Sequence, residues 1–208
     1  VAAYAPGMAM GAAIMPLAGT SVFTLPTLLV RPDIRNSAVL KRAVLRQAIR
    51  QYALVAIPAA VGAALISGPF LRIITSPALA IIATPVSWLA CGAVLASGLS
   101  RFAILALRAD GEDRWLSRNL VVHFTIFVLL AAGLSYLWPR EAPISVAASI
   151  LVVNFAQTFA AFRRLRGHVT NVLAVSLFMT PAIGTAAFVW LHFLIPVQSI
   201  VAILALVG

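Results

Sequence analysis

The sequence predicts an all-α, polytopic transmembrane helix bundle of about seven spanning helices, and three observations carry that expectation. Hydrophobic residues make up 62% of the chain and charged residues 10%, with a mean hydropathy of +1.05, where a soluble domain carries roughly 25% charged residues. The apolar residues fall into runs near the ~20 residues that cross a hydrocarbon core. The charges, a net +10 over 208 residues, gather in the short segments between those runs. A charge this basic suits nucleic acid, but cations confined to inter-helix loops act as topology signals, and no nucleic-acid partner is expected. The single cysteine, Cys91, lies in an apolar run, so no internal disulfide can form.

Helix 1 is expected over Tyr4 to Val30, interrupted by Pro6, Pro16 and Pro26. Prolines remove a backbone donor and bend helices, and broken helices of this kind line cavities in some transporters. Gly7-Met-Ala-Met-Gly11 matches a small-xxx-small packing pattern, although an Ala/Gly-rich helix offers many such matches. Helix 2 is expected over Gln51 to Ser67, with a break at Ser67-Gly68-Pro69 and a further stretch, Phe70 to Ser76, that carries Arg72. Helix 3 begins after Pro77 and stays apolar to Leu107, longer than one crossing needs. A mixed-charge loop, Arg108 to Arg118, follows. Helix 4 covers Asn119 to Leu137 and stops at Trp138-Pro139, an interfacial aromatic before a helix breaker. Helix 5 covers Pro143 to Phe162 and runs into Arg163-Arg164-Leu165-Arg166. Helix 6 is expected over Val169 to Ala186, and helix 7 over Phe188 to Val207 with Pro196 inside it.

The segment from Arg31 to Arg50 organises this arrangement. It carries Arg31, Arg35, Lys41, Arg42, Arg46 and Arg50 against the single acid Asp33. On one helix Arg35, Arg42, Arg46 and Arg50 share a stripe, with Leu40, Val44 and Ala48 broadly opposite. Like charges four residues apart repel, so the stripe calls for a negative partner, and anionic phospholipid headgroups of the bilayer supply one. Seven alternating helices place segments 31–50, 108–118 and 163–168 on one side, with twelve of the fifteen cations. Only Arg72 and Arg140 fall on the other side, and Arg101 lies within helix 3. The positive-inside rule makes the rich side cytoplasmic, so the chain is expected to enter from outside and to have a cytoplasmic C-terminus.

Several stretches taken together resemble the C-terminal part of flippases of the multidrug/oligosaccharidyl-lipid/polysaccharide superfamily. They are Ser21-Val-Phe-Thr-Leu-Pro26 leading into the basic segment, and Ala53-Leu-Val-Ala-Ile-Pro58-Ala-Ala-Val-Gly62 followed by Ser67-Gly-Pro-Phe-Leu-Arg72-Ile-Ile. Leu105-Ala-Leu-Arg108-Ala-Asp-Gly111 and the small-residue helix Ala147 to Arg166 complete the set. The turn Trp138-Pro-Arg-Glu-Ala-Pro143 departs from the family, lacking its frequent Gly-apolar-Gly-Ala-Ala entry to the next helix. The resemblance implies a single transmembrane domain in a bacterial inner (plasma) membrane that forms one lobe of a two-lobe transporter. The N-terminal half of a longer chain would form the other lobe, and the substrate would be a lipid-diphosphate-linked oligosaccharide of polysaccharide or lipopolysaccharide (O-antigen) biosynthesis, moved by alternating access. A cation-coupled multidrug antiporter of the same superfamily is the first alternative, and an integral-membrane glycosyltransferase or polymerase the second.

Candidate substrate-contact residues follow. Arg101 would meet the diphosphate of the lipid-linked sugar, where guanidinium geometry suits phosphate; the alternative is snorkelling to the headgroups, since Arg108 follows two turns later. Ser97 shares its face. Asn154, Gln157 and Thr158 would hydrogen-bond sugar hydroxyls, or join helices as polar glue. His123 and His192 lack partners at ligand spacing, so neither a metal nor a cofactor is expected. The five acids, Asp33, Asp110, Glu112, Asp113 and Glu141, all fall in loops. No catalytic constellation is visible, and an enzyme is not expected.

Overall fold

The structure, a computed structural model, describes residues 3–23 and 25–165. Among these residues every regular element is helical: α1 (Tyr4–Phe23), α2 (Leu25–Val30), α3 (Pro32–Arg35), α4 (Ala38–Ile74), α5 (Pro77–Ala109), α6 (Asp113–Leu137), a 3₁₀ turn (Pro139–Glu141) and α7 (Ala142–Arg164). Four are long and apolar enough to cross a membrane: α4, α5, α6 and α7 with its leading turn. The protein is membrane-embedded. The helices expected over Val169–Ala186 and Phe188–Val207 lie outside the described residues, as does the seven-span count that depends on them.

Two boundaries differ from expectation, each for a local reason. The basic segment is not one helix. Pro32 starts α3, and Ser37 then caps α4, its Oγ accepting from the Leu40 N–H at 3.3 Å. Arg35 is therefore on a separate turn from Arg42, Arg46 and Arg50. Lastly, the break expected at Ser67-Gly68-Pro69 does not occur, and α4 runs unbroken for 37 residues through Pro58 and Pro69. Polar side chains support this stretch: Ser67 Oγ and Trp88 Nε1 both donate to the Ala64 carbonyl, at 2.7 and 2.9 Å. The helix stops at Thr75, and Ser76 and Pro77 begin α5, with Ser76 Oγ accepting from the Leu79 N–H.

The loop expected over Arg108–Arg118 contracts to a tight turn. Asp110 is the C-cap of α5, and Gly111 follows at φ +80°. The Glu112 N–H reaches the Leu107 carbonyl at 3.0 Å, and the Gly111 N–H the Arg108 carbonyl at 2.9 Å. This is the Schellman pattern, which needs a left-handed residue and selects glycine. Arg114 and Arg118 thereby join α6.

α5 is the axis of the bundle. In its most apolar window 56% of residues are buried, against 6% in α6. It packs against α1, α4 and α7, while α6 lies outside α7. α4 and α5 form an antiparallel hairpin: Lys41 meets Asp110, Tyr52 meets Leu95 and Gly98, and Ala64 meets Trp88. α1 approaches α5 through Gly7, against Ala83 and Val86, and Gly11, against Ala90. These are the two glycines of the small-xxx-small match. In a bilayer, where lipid tails are as apolar as leucine, close van der Waals fit of this kind takes over from hydrophobic burial as the driving term.

Candidate substrate-contact site

Charge spacing along each helix gives a depth scale. On α4 the exposed residues between Arg50 and Arg72 are apolar apart from Gln51 beside Arg50; they include Leu54, Val55, Val61, Leu65, Ile66 and Phe70. Arg50 and Arg72 stand roughly 33 Å apart at 1.5 Å per residue, close to the ~30 Å of a hydrocarbon core. The same interval separates Arg118 from Arg140 along α6 and its turn, and Glu141 from Arg163 on α7. In the α4–α5 register Arg50 is level with Arg101. The bonds from Asn154 to Ala93 and Thr158 to Ala96 set α7 beside α5 so that Arg163 falls at the level of Arg101. Arg50, Arg101, Arg118 and Arg163 are all exposed, and they mark one plane at headgroup depth.

Arg101 stands on α5 at this plane, about 12 Å before the helix ends. Tyr52 on α4 stands close to the same level. Tyr52 itself is buried, donates to the Leu95 carbonyl at 3.1 Å and meets the Phe102 ring edge-on at 5.3 Å. Ser97, one turn deeper than Arg101, is half-buried, and its carbonyl accepts from Ser100 Oγ at 2.8 Å. On α7 the Asn154 amide donates to the Ala93 carbonyl at 3.4 Å, and the single Thr158 hydroxyl proton is shared between the Asn154 carbonyl of its own helix, 2.5 Å from Oγ1, and the Ala96 carbonyl, 3.0 Å away. Thr158 is fully buried, while Gln157 is half-buried. Asn154 and Thr158 thus converge on the turn of α5 that carries Ser97. Their polar atoms meet α5 backbone here, which is the arrangement of polar glue.

The basic segment sorts into two roles. Arg42, Arg46 and Arg50 are exposed along α4. Lys41 is not a surface cation: it is 6% exposed and forms an ion pair with Asp110 across the hairpin. Its buried companions along α4 are Leu45, Ala48, Ile49 and Tyr52, whereas Leu40, expected on the sheltered side, is 45% exposed. The sequence alone did not reveal Lys41, because six cations in a row conceal the one whose turn faces a neighbour. Its spacing of four and eight residues from Leu45 and Ile49 carried that signal.

A second interhelix pair, Arg164 with Glu112 at 2.9 Å, lies at the same end. His123 is buried on α6, its Nδ1 2.8 Å from the Asn119 carbonyl. Among the described residues no three His, Cys, Asp or Glu side chains gather as metal ligands would. No protein-family model, no curated protein and no solved structure matches the chain.

Proposed function

We propose that the chain belongs to a transporter that carries lipid-diphosphate-linked oligosaccharides across a bacterial inner membrane by alternating access, with the arginine-rich end in the cytoplasm. The observation that carries this proposal is Arg101: an exposed guanidinium on the central helix, level with the plane of arginines. The diphosphate of a lipid-linked glycan lies at that same depth while its tail stays in the leaflet. A guanidinium grips phosphate bidentately and never loses its charge. Snorkelling and substrate capture need not exclude each other, because an arginine at the interface is where an incoming diphosphate first meets the protein. Ser97, Asn154, Gln157 and Thr158 follow deeper on α5 and α7, where their hydroxyl and amide groups would serve sugar hydroxyls once those helices part. The rest of a longer chain would supply the facing lobe.

All five acids lie at or beyond helix ends, away from the apolar spans. A cation-coupled antiporter would draw on a carboxylate inside them, and this stretch of chain contributes none. A glycosyltransferase would also need a sizeable external loop, and the described turns at the end away from the arginine plane, Thr75–Ser76 and Trp138–Glu141, are short.

The test is transfer of a labelled polyprenyl-diphosphate oligosaccharide between leaflets of liposomes holding the intact protein. Wild type should move the sugar, Arg101→Ala should slow it at least about tenfold, the scale of one lost charge-assisted contact, and Arg118→Ala, in the same plane on the outer helix, should not. Equal losses in both variants would return Arg101 to a purely interfacial role. Failure of wild type to move any lipid-linked sugar would overturn the transporter assignment.

A further inference from the structure

The continuity of α4 changes what its arginines can do. A basic helix lying on the membrane surface would spread its charges over many headgroups. Because α4 runs without a break from Ala38 to Ile74, Arg46 and Arg50 instead stand one above the other on the prolongation of a spanning helix. Below them, at four- and seven-residue steps on the same face, come Leu54, Val61 and Leu65, exposed by 66, 52 and 54%. This face lies opposite Leu45, Tyr52, Ala56 and Ala60, which pack into the bundle. From Arg46 to Leu65 the stripe is about 28 Å long, and its change from cationic to aliphatic falls at the edge of the apolar band.

We infer that this stripe is a binding site for one anionic glycerophospholipid, its phosphate held between Arg46 and Arg50 and an acyl chain laid along Leu54, Val61 and Leu65. Charge complementarity commits the face to this occupant. Two guanidiniums four residues apart repel one another, and a phosphate between them turns that repulsion into two charge-assisted bonds. The aliphatic continuation favours a ligand with a tail over free phosphate, and the guanidiniums favour an anionic headgroup over a zwitterionic one. The site does not depend on the protein's being a transporter.

Native mass spectrometry of the intact protein in detergent tests it, with phosphatidylglycerol, phosphatidylcholine of identical chains, and glycerol phosphate as probes. Wild type should hold phosphatidylglycerol well above the other two. Arg46→Gln with Arg50→Gln should weaken it roughly 30-fold, about fivefold per arginine at the surface, whereas Arg114→Gln with Arg140→Gln should leave it unchanged. Arg50→Lys, which keeps the charge and most of the shape, should retain the preference and guards against misfolding of the double variant. Leu54→Ser with Val61→Ser should lower the affinity for the lipid only. Unchanged lipid affinity in the Arg46/Arg50 pair, an equal loss in the Arg114/Arg140 pair, or glycerol phosphate bound as tightly as the lipid would each overturn the assignment.

Discussion

At Gly98 an added methyl group would fall on an aromatic ring. A Cβ built there lies 2.0 Å from the hydroxyl oxygen of Tyr52, 2.4 Å from Cζ and 2.7 Å from Cε2. Non-bonded carbons do not come closer than about 3.5 Å at rest, so Gly98→Ala must expel the ring or push α4 away. Expulsion loses the hydrogen bond to Leu95, worth about 1 kcal/mol, and the edge-on contact with Phe102, worth about 0.5–1.5 kcal/mol. Strain in the overpacked contact adds about 1–3 kcal/mol, and the better helix propensity of alanine returns about 1 kcal/mol. The expected net loss is about 2–4 kcal/mol. Reversible unfolding in mixed micelles measures it, and a double-mutant cycle with Tyr52→Ala isolates the cause. With the ring gone, Gly98→Ala should cost nothing further and can regain its propensity term. Wild-type stability in the single variant, or simple additivity in the double, would refute the packing on which this rests.

Gly7→Ala and Gly11→Ala should each loosen α1 from α5 at a cost of about 1–3 kcal/mol, since the new methyl groups meet Val86 Cγ1 at 2.7 Å and Ala90 Cβ at 2.8 Å. Gly62→Ala, with nothing within 4 Å of the new Cβ, should be neutral or stabilising by up to about 1 kcal/mol in the same unfolding assay. Lys41→Ala leaves the sheltered Asp110 carboxylate without its lysine and should cost about 3 kcal/mol, whereas Lys41→Asp combined with Asp110→Lys should recover at least half. For Thr158→Val, a glue role predicts a loss of about 0.6–1.7 kcal/mol with transport per folded molecule unchanged. Sugar contact predicts the opposite split between stability and transport.

The helical class and the bounds of α5 and α7 were legible, because charge, proline and apolar run length act over single helices, whereas α4 begins 13 residues before the expected Gln51 and α6 six before the expected Asn119. α5 and α7 begin and end within two residues of the expectation. What the sequence hid were features decided between helices. Nothing local says that Trp88, on the next helix, will reach back to the Ala64 carbonyl one turn before Pro69. Nothing local separates Lys41 from its five basic neighbours until Asp110 is placed beside it. Asn154 and Thr158 were recognisable as a polar pair on one helix face, yet only the position of α5 shows that they reach the Ala93 and Ala96 carbonyls.

The two ends of the bundle are held by different forces. Beyond the arginine plane α4 and α5 extend about 18 and 12 Å further, and there Lys41 joins them through Asp110 while Arg164 joins α7 to the turn after α5 through Glu112. These pairs are unequal. The Arg164–Glu112 pair is largely open to water, and exposed pairs contribute about 0–1 kcal/mol. The sheltered Lys41–Asp110 pair resists separation far more, because parting it leaves a desolvated charge behind. At the far end the described helices are joined by caps, turns and the small-residue contacts of Gly7 and Gly11, with no interhelix ion pair among the described residues. Opening the arginine-rich end between α4 and α5 therefore requires water to reach Lys41 as the helices part.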